Sequence, residues 1–107
     1  MEIAEFLLAR IAEDRVMATL REWHTRDCDT HPNEAGYSYP CDCGVPERMA
    51  AECEAKRRIA EEYREAVHYY DARPSVPAGE VTGLERALML LALPYAGHPD
   101  YRAEWKP

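Results

Sequence analysis

Four residues with metal-ligand side chains lie close together in a segment rich in turn-forming residues. They are Cys28, His31, Cys41 and Cys43, with the spacing C-x2-H-x9-C-x-C. Thiolates and imidazole are typical ligands of tetrahedral structural Zn²⁺, and a two-residue gap between ligands is common in such sites. The one-residue gap between Cys41 and Cys43 is less common, and Gly44 after it lets the backbone turn. The pattern predicts one zinc ion bound by these side chains.

A second ligand set has His24 in place of His31. If the first helix extends to His24, this imidazole and Cys28 lie four residues apart on one helical face. The set with His31 is preferred because it requires no such extension. With four or five ligands nearby, we expect protein side chains to close the coordination, as in a structural site rather than a catalytic one. The alternative without a metal is a loop that carries unrelated free cysteines.

Reactive chemistry at these cysteines is a less favoured interpretation. Zinc deaminases need an H-x-E and a P-C-x-x-C motif, whereas Pro40 is followed by C-x-C and no H-x-E precedes it. Thiol exchange through Cys41 and Cys43 would need the βαβ frame of a thioredoxin-like protein, which the sequence lacks. A zinc hydrolase or thiol redox enzyme is therefore the third functional hypothesis.

The composition favours a protein partner. The 107 residues suffice for one domain, and 20 acidic against 13 basic residues give a net charge of −7. Nucleic-acid binders usually carry a basic face, because their affinity comes largely from neutralising phosphates. The charge argues against nucleic acid and anionic membranes and favours a basic patch on another protein. A nucleic-acid-associated zinc regulator is the second hypothesis, and it requires a coherent positive face.

The expected compartment is the cytoplasm. The N-terminal segment MEIAEFLLARIAEDR is acidic and amphipathic and lacks the positive start and apolar core of a signal peptide. No apolar run approaches the length of a membrane span. The cytoplasm keeps thiols reduced, so the four cysteines are better explained by metal ligation than by disulfides.

Three segments have the apolar spacing of helices, and they predict an all-α fold. The first helix is expected from Ile3 to about His24, the second from Pro46 to about Ala72, and the third from Thr82 to Pro94. Thr82 and Glu85 form a capping-box pattern. The apolar stripe of the first helix is formed by Ile3, Phe6, Leu7 and Ile11.

These elements predict one small three-helix domain over residues 1–107, with a zinc-stapled loop between helices 1 and 2. Helices 1 and 2 are expected to be antiparallel, with helix 3 in their groove. Helix 3 is apolar nearly all round, so we expect it to be the central core helix. The tail aromatics Tyr95, Tyr101 and Trp105 should fold back over the helices. A homo-oligomer is compatible with this arrangement.

Several further polar positions are expected to be structural. Cys53 is expected to be a small buried residue of the second helix. His68 is expected at the surface, and His98 is expected in a turn. The basic run at 56–58 lies among glutamates that can pair with it, so a solvated helix face is expected.

Three blocks of the sequence are MEIAEFLLARIAEDR, CEAKRRIAEEY and LLALPYAGHPDYRAEW. They resemble a family of small uncharacterised proteins of actinobacteria, including Streptomyces, and of the phages that infect them. The last block is the most specific, since LALPY followed by HPDY is an unusual string. The resemblance implies a bacterial or phage cytoplasmic setting and no particular mechanism. Family members often carry cysteines just before LALPY, whereas here they lie earlier, so the zinc prediction rests on this sequence alone.

The leading hypothesis is a small non-enzymatic zinc-binding interaction module that acts on a host or phage protein. An acidic charge, a small size and a structural rather than reactive site support it. An exposed apolar or aromatic patch would strengthen it.

Native mass spectrometry of freshly purified protein should show one zinc ion per chain. Cys41→Ser should remove this zinc together with cooperative unfolding, because the metal would replace missing core. A well-folded wild-type chain without bound metal would contradict the prediction.

Overall fold

The fold is built from helices in the part of the chain that the computed structural model describes, residues 1–17 and 45–107. These residues contain no strand, so the all-α prediction with three main helices is confirmed for them. In chain order the elements are α1 at Ile3–Met17, α2 at Val45–Asp71, α3 at Gly79–Ala92, and 3₁₀ turns at Leu93–Tyr95 and Ala103–Trp105.

The predicted apolar stripe of α1 forms the centre of the core. Ile3, Phe6, Leu7 and Ile11 are all buried, and Phe6 has 0% of its surface exposed. Residues three or four apart share one face of a helix, so these side chains enter the core together. The predicted continuation of α1 to His24 and the zinc-stapled loop lie outside the described residues.

α2 contributes mainly small side chains to the same core. Cys53, Ala60 and Ala66 are buried, and Ile59 and Tyr63 pack against the core cluster while partly exposed. Small side chains allow neighbouring helices to approach closely, which suits a helix of 27 residues that packs on both α1 and α3. Cys53 is therefore a small buried residue, as predicted.

The bounds of α2 agree with the prediction to within one residue. The helix begins at Val45, so Pro46 lies in the first turn, where a backbone N–H has no intrahelical partner to lose. Beyond the helix end, the N–H of Arg73 donates to the carbonyl of Tyr70 at 3.0 Å. Pro74 follows and cannot continue a helix.

The predicted capping box that begins at Thr82 is wrong. α3 already begins at Gly79, and its N-cap residue Ala78 makes no side-chain capping hydrogen bond. The N–H of Thr82 donates to the carbonyl of Ala78 at 3.3 Å, which places Thr82 inside the first turn of the helix. The hydroxyl of Tyr70 donates to the carboxylate of Glu80 at 3.2 Å. This tertiary contact joins the first turn of α3 to the last part of α2.

α3 lies against both α1 and α2, as predicted, but it is not the central core helix. Leu88 and Ala92 are fully buried, whereas Leu90 is 55% exposed and Leu93 also faces solvent. A helix that is apolar all round still has an exposed side where no neighbouring element covers it. α1 supplies the centre of the core instead.

Contacts between the helices give their directions. Glu5 at the start of α1 lines a cleft with His68 near the end of α2. Arg15 at the end of α1 lines another cleft with Cys53 in the first half of α2. α1 and α2 therefore run antiparallel, as predicted.

α3 runs in the direction of α1. Its start is tied to the end of α2 by the hydrogen bond between Tyr70 and Glu80. Just after its end, the hydroxyl of Tyr95 donates to the carboxylate of Asp14 in the last part of α1. The three helices thus form an up-down-up bundle.

The aromatic tail folds back onto α1, as predicted. The ring centroid of Phe6 lies 5.0 Å from that of Trp105, 5.6 Å from that of His98, 6.0 Å from that of Tyr101 and 6.3 Å from that of Tyr95. Most of these pairs meet edge to face, the geometry that adds about 0.5–1.5 kcal/mol beyond area burial. We call these five residues the aromatic cluster.

Two leucines of α3 allow a matched test of the observed packing. Leu88→Ala should lower the free energy of unfolding by about 2–5 kcal/mol, because it leaves a cavity at a fully buried position. Leu90→Ala, the same substitution at an exposed position of the same helix, should change it by about 0.5 kcal/mol or less. Urea unfolding followed by circular dichroism measures both. Equal losses would contradict the placement of α3.

Candidate functional site

The predicted metal ligands cannot be placed among the described residues. Cys28, His31, Cys41, Cys43 and the alternative ligand His24 all lie between the two described ranges. Within those ranges, no group of three or more His, Cys, Asp or Glu side chains is arranged to hold a metal ion. The zinc site therefore stays a prediction.

Cys53 is a free thiol in the core, where reactive chemistry is disfavoured. Desolvation by burial raises its pKa, and the negative charge of Asp14 raises it further. Because the thiolate is the nucleophile and the metal ligand, a raised pKa makes a thiol inert at neutral pH. Neither thiol exchange nor zinc binding is therefore expected of Cys53.

A polar group lies beside the aromatic cluster and ties the tail to α1. Arg10 is only 9% exposed, and its Nη2 donates to Oε1 of Glu13 at 2.9 Å. Its guanidinium carbon lies 5.3 Å from the ring centroid of Phe6, and Nη1 contacts Nε2 of His98. The Nδ1 of His98 accepts the N–H of Asp100 at 3.0 Å, which confirms the turn role predicted for this histidine. These contacts are those of a structural anchor.

Tyr95 joins the same anchor through its hydroxyl, which donates to Asp14. Desolvation by burial, the hydrogen bond to Asp14 and the negative charge of that carboxylate together raise the pKa of Tyr95 well above its usual value. The protonated phenol is thus the form that the fold stabilises.

An open groove with charged side chains in its lining lies between α2 and α3. We call it the α2–α3 groove, and it has a volume of about 490 Å³. It combines carboxylates with aromatic rings, and its lining is Glu62, Glu65, Ala66, Tyr69, Tyr70 and Glu80. The rings of Tyr69 and Tyr70 meet edge to face with centroids 4.9 Å apart. Such a surface suits the binding of a cation or a basic side chain.

One ring of this groove, that of Tyr69, already carries a guanidinium group from a residue outside the lining. The guanidinium carbon of Arg73 is 3.9 Å from the ring centroid of Tyr69, and its Nη1 donates to the carbonyl of Tyr69 at 2.9 Å. This is the geometry of a cation–π contact. The sequence analysis gave no role to Tyr69 or Arg73. Their four-residue spacing was the available signal, since such residues are neighbours on a helical turn.

Comparison with known proteins places the chain in a family. Residues 1–107 match a family of unknown function, DUF6221. The chain belongs to this family. The expected membership of a family of unknown function is thus confirmed over the whole sequence. No curated protein and no solved structure matches the chain.

The described part of this DUF6221 chain contains no candidate membrane-spanning segment. None of the helices there has both the length and the apolar character that a membrane span requires.

The basic run of α2 is a solvated face, as predicted. Arg57 donates to both carboxylate oxygens of Glu54, at 3.0 and 2.8 Å, and both side chains are about half exposed. The hydrogen bond from Arg57 lowers the pKa of Glu54. An exposed pair of this kind contributes little stability but locally cancels the positive charge that a phosphate backbone would need. His68 is exposed, as expected.

The raised pKa values predict a loss of stability at alkaline pH. Cys53, Tyr63, Tyr70 and Tyr95 all have pKa values raised by burial and negative neighbours. The folded chain therefore keeps protons that the unfolded chain releases, so the free energy of unfolding should fall as the pH rises above about 9 to 10.

Tyr95→Phe should reduce this alkaline decline, because it removes the most strongly shifted phenol. Tyr69→Phe leaves all four groups in place and is the matched control. Urea unfolding at about pH 8, 10 and 11 measures the decline. If the wild type and Tyr95→Phe lose stability in parallel, the role assigned to Tyr95 is wrong.

Proposed function

We propose that this chain is a small non-enzymatic protein-interaction module of the cytoplasm. In this proposal it is encoded by an actinobacterium or one of its phages and acts on a host or phage protein. A zinc ion held by Cys28, His31, Cys41 and Cys43 staples the segment between α1 and α2. The observation that carries the interaction role is the α2–α3 groove.

The groove has the composition of a binding surface. Tyr69 is 48% exposed, and its ring stands beside carboxylates of both helices. Tyrosine is enriched at protein interfaces and among the residues that contribute most binding energy, because it offers large apolar area with little conformational entropy to lose. Val76, which follows in the connector between α2 and α3, is also exposed and adds apolar surface close to Arg73.

The charge of the groove supports a protein partner over nucleic acid. Glu62 and Glu65 come from α2 and Glu80 from α3, so carboxylates border the tyrosine rings on two sides. Such a rim repels phosphates and attracts basic side chains. A net charge of −7 for the whole chain acts in the same direction over longer distances.

The zinc part of the proposal is supported by ligand chemistry. Three thiolates and one imidazole can close a tetrahedral site without a water, which is the arrangement of structural zinc. The burial of Cys53 between the helices removes it as a competing ligand and leaves the other three cysteines of the chain for the metal. The ion would then fix the chain without supplying a reaction.

Affinity capture from an actinobacterial lysate, followed by identification and reconstitution with the purified partner, tests the interaction role. Glu65→Arg should weaken binding of the purified partner at least about tenfold, since it reverses a charge in the groove. Glu52→Arg is the matched control, with the same substitution at an exposed position of α2 that does not line the groove. Equal binding by wild type and Glu65→Arg would contradict the proposal.

A further inference from the structure

We infer that the ring of Tyr69, which lines the α2–α3 groove, binds the guanidinium group of an arginine in a basic partner segment, and that Arg73 covers this ring in the free chain. The inference rests on the proposed interaction function and adds the chemistry of the partner. Three observations support it. The guanidinium of Arg73 lies over the ring of Tyr69, carboxylates line the groove, and Arg73 lies in an exposed connector.

The ring that would receive the partner is that of Tyr69. The guanidinium carbon of Arg73 lies 3.9 Å from the ring centroid of Tyr69, while Tyr69 lines the groove and is half exposed. The same ring is held by an edge-to-face contact with Tyr70, whose hydroxyl is in turn fixed by Glu80. A ring held in this way is a ready platform for a planar cation.

The carboxylates of the groove can attract a basic partner. Among the described residues, the ion pairs do not include Glu62, Glu65 or Glu80. Glu62 and Glu65 also line a neighbouring cleft that contains Arg57 and Arg58. An incoming arginine presents five N–H donors in a rigid fork that suits carboxylates, whereas a lysine presents a compact point charge that stacks less well on a ring.

A metal ion is excluded as the occupant of the groove. The carboxylates of the groove belong to the described residues, and no three of these side chains are arranged to hold a metal. The rings of Tyr69 and Tyr70 line the groove together with these carboxylates. Aromatic faces next to carboxylates favour a delocalised organic cation over a compact inorganic one.

Arg73 lies where it can leave the ring of Tyr69. Residues 71–80 are all exposed, so Arg73 can swing away from Tyr69 without unpacking the core. Its hydrogen bond to the carbonyl of Tyr69 is also exposed. Contacts of this kind are weak, so an arginine aided by the groove carboxylates can displace Arg73. Arg73 thereby acts as an internal competitor that a partner must replace.

Fluorescence anisotropy of the purified full chain with labelled oligoarginine and oligolysine peptides of equal length tests this inference. Oligoarginine should bind more tightly than oligolysine at physiological salt. Tyr69→Leu should weaken oligoarginine binding about two- to fivefold, the effect expected for an exposed cation–π contact. Circular dichroism of each variant confirms that it is folded.

The variant of the internal competitor gives the sharper result. Arg73→Ala should tighten oligoarginine binding about two- to fivefold. Arg86→Ala, which removes the same charge at an exposed position of α3 outside the groove, should tighten it less. Equal effects of Arg73→Ala and Arg86→Ala would show that only overall charge matters and would overturn the inference.

Two other outcomes also overturn it. One is equal binding of both peptides with no effect of Tyr69→Leu, which is the behaviour of any acidic protein. The other is no binding of either peptide. If the purified partner from affinity capture still depends on Glu65, only the arginine inference fails. If that dependence is absent too, the proposed function fails with it.

Discussion

The burial of Phe6 among aromatic side chains from the end of the chain is the contact on which the described fold depends. A helix of 15 residues such as α1 is marginal by itself in water, so it persists because its apolar face is covered. α2 offers mostly small side chains to that face. The large complementary surface comes from the tail, above all from Trp105, which is itself buried.

The polar contacts beside this cluster fix how the tail meets α1. Burying the Arg10 guanidinium is unfavourable unless it is hydrogen-bonded, and Glu13 and His98 both contact it. Its Nε and the hydroxyl of Tyr101 are buried without a hydrogen-bond partner in the structure, so the anchor is not fully satisfied. These groups restrict the tail to one arrangement, because a shifted tail would leave a larger part of the arginine unpaired.

The same arrangement leaves the other side of the bundle open. The last turns of α2 and the first turn of α3 are joined by the hydrogen bond between Tyr70 and Glu80. A short exposed connector joins them, and the tyrosine rings and carboxylates beside it form the groove. The functional proposal thus follows from which face of the bundle the core leaves uncovered.

Much of this architecture could be predicted from local patterns. The stripe that includes Phe6 specified the buried face of α1, and prolines at both ends specified α2 to within a residue. The start of α3 could not be predicted, because its N-cap residue Ala78 has no side chain that could form a capping hydrogen bond. The exposure of Leu90 could not be predicted either, because composition does not reveal which sides of a helix have neighbours.

Of the two candidate sites, the zinc site could be predicted from the sequence and the α2–α3 groove could not. Ligand identity and spacing predict a zinc site without any knowledge of the fold, since cysteine and histidine have few other uses at such spacing. The α2–α3 groove depends on the angle at which two helices meet across a connector. Tyr70 lies ten residues before Glu80 in the sequence, and the packing of the helices brings the two side chains together.

Amide hydrogen exchange followed by mass spectrometry tests the central claim, that the tail holds α1 in the fold. The account predicts that amides around Phe6 and amides of the tail near Trp105 are protected to the same degree. It also predicts that Trp105→Ala accelerates exchange in both segments together. A tail that exchanges freely while α1 stays protected, or an α1 unaffected by Trp105→Ala, would contradict it.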